Sequence, residues 1–363
     1  MEGVAKGERH PLAAEAGGFR LQDPDNKLPA AIKDLTKKIG GKIMKMQIFD
    51  LMKISAPVII SYPKTYLEVF LDDYTYFPKY MAKVCKSKDN VERIKNITTC
   101  MLAGLHVSMC VLQSLSPLNP VLGETWQRHS ADGTKYYAEQ ISHHPPISSA
   151  MMEGPEGKWR FELIQEFKAS LNGHNSIKAH KEGALVITLY DGTQYIIEEG
   201  YLNIEGLMYG SLTCGICDRI TIKDITHDIT SVVMFDPDNQ EGMLSNVASK
   251  FKFWGSKKTK RPSDHWDISI FEGEVEEKQI LCTGKGSYLE YIEFEEERYW
   301  EIGDEWGTWE KSDQILQSDS CLRPDLILLK ENDYVNAQQA KEKIENNQRT
   351  DKANREKNRQ NKG

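Results

Sequence analysis

The stretch Lys158-Trp159-Arg160-Phe161-Glu162-Leu163-Ile164-Gln165-Glu166-Phe167-Lys168-Ala169-Ser170 alternates with a period of two. Trp159, Phe161, Leu163, Phe167 and Ala169 fall on one side and Arg160, Glu162, Glu166 and Lys168 on the other. That is the pattern of a strand with one packed and one solvated face. Next, LVITLY at 185–190 and TQYII at 193–197 flank Asp191-Gly192, which reads as a hairpin with a two-residue turn. Shorter alternating runs follow at Tyr201 to Leu207, Ile220 to Ile225, Ser231 to Phe235, His265 to Phe271, Gln279 to Cys282 and Tyr288 to Phe294, spaced by turn residues. The series predicts a large antiparallel meander. Closing it into a barrel would remove the exposed edges of so long a sheet.

Upstream of this region the period is helical. Tyr66 to Val84 places Tyr66, Phe70, Tyr74, Phe77, Tyr80, Met81 and Val84 at helical spacing, with a bend expected at Pro78. Val91 to Leu115 carries Ile94, Ile97, Met101, Leu105, Met109 and Leu112 and predicts a second, longer helix. Earlier still, Ile32, Leu35, Ile39 and Ile43 share one face of a short segment in which Lys33, Lys37 and Lys38 take other faces. This predicts an amphipathic helix with a basic side, ended by Gly40-Gly41. Its face suits either docking on a core or lying on a membrane surface. Residues 1–26 are small, polar and charged and read as a disordered leader.

Composition narrows the class. Of 363 residues, 39% are hydrophobic and 28% charged, so the chain can build a core. Seven cysteines are few and odd in number, which argues against a disulfide scaffold. The net charge of −8 argues against a general nucleic-acid binder. No run approaches the roughly 18 apolar residues of a membrane span, and the first residues lack the apolar core of a signal peptide. The balance is that of a cytoplasmic protein. Charge is unevenly spread: residues 341–363 hold eight basic and four acidic side chains, leaving −12 on residues 1–340.

Catalytic signatures are missing. There is no HExxH and no GxSxG, and no Gly-Lys pair is followed by the Ser or Thr of a phosphate-binding loop. Cys214-Gly-Ile-Cys217 has the spacing of a redox or zinc pair, but its flanks are strand-like and no second pair is spaced to complete a zinc site, so buried thiols are expected. No catalytic residue, metal or cofactor is therefore expected. The string Glu139-Gln140-Ile141-Ser142-His143-His144-Pro145-Pro146 is more informative. In a regular strand adjacent rings point apart, whereas a turn enforced by the two prolines can bring both imidazoles to one rim. There they can donate to an anion or, with further ligands, hold a metal. A second unusual string, Ser116-Pro117-Leu118-Asn119-Pro120-Val121-Leu122-Gly123-Glu124-Thr125-Trp126, predicts an extended loop, and its Asn119 has both donor and acceptor atoms.

EQISHHPP resembles the fingerprint of the oxysterol-binding protein family. SPLNPVLGETW resembles the loop that precedes it there, and the likeness continues through Leu322-Arg323-Pro324-Asp325 and the final helix. It covers roughly residues 45–350. The resemblance implies a mainly β fold: a large, near-closed antiparallel barrel around a central hydrophobic tunnel, with an N-terminal lid helix and a C-terminal helical subdomain. The corresponding organisation is a leader at 1–26, a lid at 27–46, a lipid-binding domain at 47–350 and a charged tail at 351–363. Some 45 residues before the core are too few for a pleckstrin-homology domain, so a short, single-domain member is expected.

Similar proteins enclose one lipid, and many exchange a sterol or phosphatidylserine for phosphatidylinositol 4-phosphate between membranes. Carried over residue by residue, His143 and His144 would meet the 4-phosphate, and Asn119 with the backbone around Leu118 the headgroup or glycerol. Lys341, Glu345 and Arg349, spaced i, i+4 and i+8, would share one helical face, the two cations gripping phosphate and Glu345 holding them or an inositol hydroxyl. The lid would close through Ile32, Leu35, Ile39 and Ile43. Where the family usually has Lys before Pro-Leu/Phe-Asn-Pro, this chain has Ser116. The loss of a charge-assisted bond worth ~1.5–3 kcal/mol would weaken phosphoinositide binding ~10–100-fold unless Lys135 or tail lysines compensate. The expected protein is a monomer that meets anionic organelle membranes transiently and peripherally, as at membrane contact sites. The alternative is a lipid sensor or scaffold without net transfer.

Overall fold

The computed structural model describes residues 7–21, 57–112, 116–238, 260–273 and 279–360. The strands, in chain order, are β1 (Phe19–Arg20), β2 (Ser61–Thr65), β3 (Ser116–Leu118), β4 (Thr125–Ser130), β5 (Lys135–His143), β6 (Pro146–Glu153), β7 (Trp159–Asn172), β8 (Ser176–Leu189) and β9 (Gln194–Glu198). They continue with β10 (Tyr201–Glu205), β11 (Thr213–Cys217), β12 (Arg219–Asp224), β13 (Ile229–Phe235), β14 (His265–Glu272), β15 (Gln279–Ser287), β16 (Tyr291–Phe294), β17 (Glu297–Glu301) and β18 (Trp309–Lys311). Sixteen form one antiparallel sheet ordered β17-β16-β15-β14-β13-β12-β9-β8-β7-β6-β5-β4-β18. From β8 it also branches through β10 and β11 to β1, while β2 and β3 make a separate parallel pair.

The outer strands β17 and β18 do not pair with each other, so the barrel is near-closed. A helix backs the seam. The Tyr80 hydroxyl donates to the Tyr299 carbonyl at 2.8 Å, and the Tyr76 hydroxyl to the Asp304 carbonyl at 3.0 Å. These bonds satisfy carbonyls beside an open edge that would otherwise need water.

Each of the two helices expected before the sheet is broken in two. The first becomes α1 (Tyr66–Asp72) and α2 (Phe77–Lys86), with Pro78 in the first turn of α2, where a missing N–H costs nothing. The second becomes α3 (Asn90–Ala103), capped by Asp89 accepting from the Val91 N–H, and α4 (Leu105–Leu112). Gly104 lies between them, at a position where a Cβ would stand 1.8 Å from the Asp73 carbonyl oxygen. The Asp191-Gly192 turn also differs. Leu189 N–H bonds the Thr193 carbonyl across a three-residue loop, with Gly192 at φ +88°.

The four helices pack on the inner face of the sheet. Phe161 meets Tyr74 and Phe77 at ring separations of 4.8 and 4.6 Å, Trp159 meets Phe77, and the Thr98 hydroxyl donates to Ser231. Trp159 and Phe161 lie at the start of β7, so this aromatic plug fills one end of the barrel. Further along β7 the inward positions Phe167 and Ala169, with Leu202 and Ile204 of β10, are only half-buried. Tyr66 of α1 packs on Phe167 at a ring separation of 5.8 Å, and beyond it Ala169, Leu202 and Ile204 form a half-buried apolar patch.

The disordered leader needs correcting over residues 7–21. Phe19 is fully buried in β1 against β11, and the Arg9 guanidinium bridges Asp264 and Glu290, each at 2.6 Å. One aromatic and one guanidinium with buried carboxylate partners anchor a segment whose average polarity reads as solvated. The lid at 27–46, with Ile32, Leu35, Ile39 and Ile43, lies outside the described residues. The boundary at 350/351 is not a structural break, because the last helix, α6 (Tyr334–Gln360), runs through it. The preceding α5 spans Pro324–Lys330.

Two outcomes test this packing. Gly104→Ala should lower stability by about 2–3 kcal/mol through overpacking, read from the denaturant midpoint. Burial lowers the imidazoles of His10 and His106 to about 4, so each resists protonation when folded but takes a proton near 6.5 when unfolded. Stability should therefore be full above pH 6.5 and fall as pH drops towards 4. His106→Gln should flatten that fall in urea melts at pH 7, 5.5 and 4.5.

Candidate functional site

Two of the strings singled out in the sequence are hydrogen-bonded to one another. The Gln140 N–H donates to the Glu124 carbonyl at 2.9 Å, and the Gly123 N–H to the Gln140 carbonyl at 2.8 Å. The end of β5 is thus stitched to the loop after β3. Beyond Gln140 the ladder slips by one residue before Ser142, and β5 stops at His143, paired with Pro146 of β6. His144 and Pro145 form the tight turn, with a cis peptide between them. The imidazoles lie 4.6 Å apart at 61° and both face one open cleft of about 680 Å³.

A third string locks the loop in place. The Arg323 guanidinium, almost fully buried, donates to the Asn119 carbonyl and to Glu124, each at 2.8 Å, and in bidentate fashion to Asp325 at 3.0 and 2.6 Å. Glu124 also accepts from the Val121 N–H and the Ser320 hydroxyl. Burial opposes the Arg323 charge, but Glu124 and Asp325 outweigh it and hold the proton more firmly than usual. Burial likewise pushes the Glu124 carboxyl up, and Arg323 offsets part of that rise.

Helix α6 forms the facing wall. Ala337 and Lys341 are buried and Ile344, Glu345 and Gln348 half-buried, a stripe at spacings of three and four. The Asp333 carboxylate caps the helix by accepting from the Asn336 N–H. Gln338 accepts from the Val58 N–H at 2.9 Å. Glu345 takes the Lys341 ammonium at 2.6 Å on one oxygen and Arg349 at 3.3 Å on the other. The acid therefore holds both cations in the arrangement expected from their spacing.

His143, His144, Asn119, Lys341, Glu345 and Arg349 all line the cleft. The Leu118 side chain does not. It is 1% exposed, packed with Val58, Leu326, Leu329 and Ala337 in a second small core. Ser116 is exposed and outside the lining, and Lys135 sits eight residues from His143 at the other end of β5, so neither supplies charge here. The sequence reading missed Arg323, Lys352 and Arg355, which do line the cleft. The signal was available for the last two: 341, 345, 348, 352 and 355 continue one helical stripe past the supposed end of the domain. Arg323 is balanced by Glu124 and Asp325, but Lys341, Arg349, Lys352 and Arg355 against Glu345 and Glu356 make this mouth basic on an acidic chain. Among the described residues no group of three or more His, Cys, Asp or Glu is placed to hold a metal. None of their helices is long and apolar enough to cross a membrane.

Burial, and then the neighbouring His144, lower the His143 pKa below 6.5, while the Pro120 carbonyl and Glu345 pull the other way. His143 is thus mainly neutral at pH 7 and gains its proton as pH falls below 6.5. An anion beside it favours the imidazolium and should move its titration back up. Ring NMR titration with and without inorganic phosphate checks both shifts. A midpoint at or above 6.5 in the free protein would contradict this electrostatic reading.

The sequence profile of the oxysterol-binding protein family matches residues 41–362. Oxysterol-binding protein 9 of Dictyostelium discoideum is 27% identical over 331 residues, 88% of this chain and 74% of that relative. Oxysterol-binding protein-related protein 8 of Homo sapiens is 26% identical over 231 residues, 61% of this chain but 25% of its own length. Among solved structures, the Osh3 ORD in complex with PI(4)P from Saccharomyces cerevisiae matches 98% of this chain and 89% of its own, at TM-score 0.69 and 19% identity. The Osh1 ORD in complex with ergosterol matches 99% and 85%, at TM-score 0.71 and 16% identity. At these identities the structures speak for the shared fold.

Proposed function

This chain belongs to the oxysterol-binding protein family, and from that premise we propose that it is a non-enzymatic lipid carrier. It encloses one lipid at a time, a sterol or phospholipid in one leg and phosphatidylinositol 4-phosphate in the other, and exchanges them between membranes. The observation that carries this reading is the meeting of His143 and His144 with the Lys341-Glu345-Arg349 face across one basic cleft. Phosphate needs several donors converging on one point, and charged donors bind it about twice as strongly as neutral ones. Lys341 and Arg349 grip, the histidines donate from the opposite wall, and Arg323 fixes the Asn119 loop between them. Lys352 and Arg355 supply charge that Ser116 does not.

The rest of the lipid must leave water too. Extraction from a bilayer exposes acyl chains at ~0.8 kcal/mol per CH₂, so a carrier needs an apolar enclosure. The half-buried inner patch of Ala169, Leu202 and Ile204, on the cleft side of the aromatic plug and of the Tyr66–Phe167 pair, is the apolar lining assigned to that role. The segment 27–46 serves as lid. The protein works in the cytoplasm as a monomer and touches anionic organelle membranes only while loading and unloading. Ready reversal is expected when phosphate capture and membrane contact rest on the same cations.

His143→Ala with His144→Ala should reduce extraction of phosphatidylinositol 4-phosphate from liposomes at least ~100-fold, since two donors worth ~1.5–3 kcal/mol each are lost. Sterol extraction should persist. Unchanged phosphoinositide transfer in the double variant would remove the site assignment. Lipid equilibration by catalytic amounts of protein, rather than one-to-one extraction, distinguishes a carrier from a sensor.

A further inference from the structure

The β7–β8 hairpin outreaches its neighbours on the side of the histidine cleft. Ile147, beside the His143–Pro146 turn, pairs with Glu166, yet β7 continues six residues further to Asn172. At ~3.3 Å per residue the hairpin projects ~20 Å past the level of the histidines along the strand. β10 runs beside β8 in the same direction as β7 and ends at Glu205 opposite Ser176, so the loop 206–212 sits at the projecting tip.

That loop holds two large apolar side chains in water. Met208 is 73% exposed and Tyr209 72%. They are not left there by slack backbone. The Asn175 side-chain carbonyl accepts from the Met208 N–H at 2.8 Å and the Tyr209 N–H at 3.1 Å, and its amide donates to the Tyr209 carbonyl at 3.1 Å. The Asn175 backbone carbonyl takes the N–H groups of Gly206 and Leu207. Gly206, at φ +88°, comes so close to the Ser211 carbonyl that a Cβ would stand 2.2 Å from it. Five hydrogen bonds to one asparagine hold a two-residue apolar tip outward.

The stem beneath the tip carries mixed charge. Lys168 is paired with Glu166 and Glu182, His180 with Glu182, and Lys181 with Asp73 inside the barrel, while Lys178 lies over the Tyr201 ring at 3.6 Å. An apolar, amphipathic tip projecting on the same side as a basic cleft fits an anionic bilayer: the tip side chains enter the headgroup–acyl boundary while the cleft cations face lipid phosphates.

We infer that Met208 and Tyr209 form a preorganised wedge that seats the cleft on anionic membranes, independently of the segment 27–46. This rests on the carrier reading for its purpose but not for its test. Full-length protein is to be sedimented with phosphatidylcholine vesicles with and without phosphatidylserine. Met208→Ser with Tyr209→Ser should weaken partition to the anionic vesicles about tenfold, the effect of withdrawing two apolar side chains from the interface. Tyr190→Ser, at the far end of the same hairpin and 65% exposed, should change nothing. Tyr209→Trp should give bluer, brominated-lipid-quenchable emission on anionic vesicles. Equal partition of wild type and double variant, an equal loss in Tyr190→Ser, or no spectral response would overturn the wedge. So would a double variant that changes only the sedimenting mass in solution, which would make the tip a contact between copies. Binding of a water-soluble, short-chain 4-phosphoinositide in the cleft should be the same in the double variant. If the wild type fails to bind it while vesicle binding still needs Met208 and Tyr209, the cleft reading falls and the wedge stands.

Discussion

A guanidinium taken out of water organises the mouth of this barrel. Arg323 loses nearly all its hydration, and its charge is tolerable only because Glu124 and Asp325 share the same dry space and both are hydrogen-bonded to it. Such a triad adds little net stability, but it is unforgiving of rearrangement, because any displaced partner leaves a buried charge uncompensated. Its value is positional. Glu124 belongs to the loop that also bonds the histidine strand; Asp325 opens α5, which packs under α6; the Asn119 carbonyl takes a further donor. Three segments far apart in sequence are thereby fixed relative to one another. The histidine wall and the Lys341-Glu345-Arg349 wall face each other across a gap set by one side chain.

The charge arrangement has a second consequence. The chain is acidic overall, yet the cleft, with Arg323 balanced by Glu124 and Asp325, still gathers Lys341, Arg349, Lys352 and Arg355 against Glu345 and Glu356. On the carrier reading, such an uneven distribution would turn the cleft towards an anionic surface over the ~8–10 Å that salt allows.

The barrel was legible because its strands alternate cleanly. Trp159 to Leu163 and Tyr195 to Ile197 put every second side chain in the core, and no helix can satisfy that period. The helix breaks were not legible, since they depend on tertiary contact: Gly104 is required by an Asp73 carbonyl that no local pattern reveals. The leader misled for a similar reason. Arg9 and Phe19 look like two residues in a polar run until the carboxylates of Asp264 and Glu290 and the neighbouring strand β11 are in place. At the cleft, the histidines and Asn119 stand in unusual strings, and the Lys-Glu-Arg face could be named from the family resemblance. The proline loop turns alternate residues opposite ways, sending the Leu118 side chain inward and leaving Asn119 exposed. Lys352 and Arg355 were set aside with a solvated tail, although the helical repeat that includes Lys341 continues through them.

The cleft holds its cations close together, and Glu345 explains how. Clustered cations without a counter-charge would repel one another, and long Lys and Arg side chains would spread into solvent at an entropic gain. Glu345 holds two of them in place, one on each carboxylate oxygen. The acid thus lowers the net attraction for phosphate while sparing much of the ordering cost that capture would otherwise carry. A mouth built this way trades tightness for readiness.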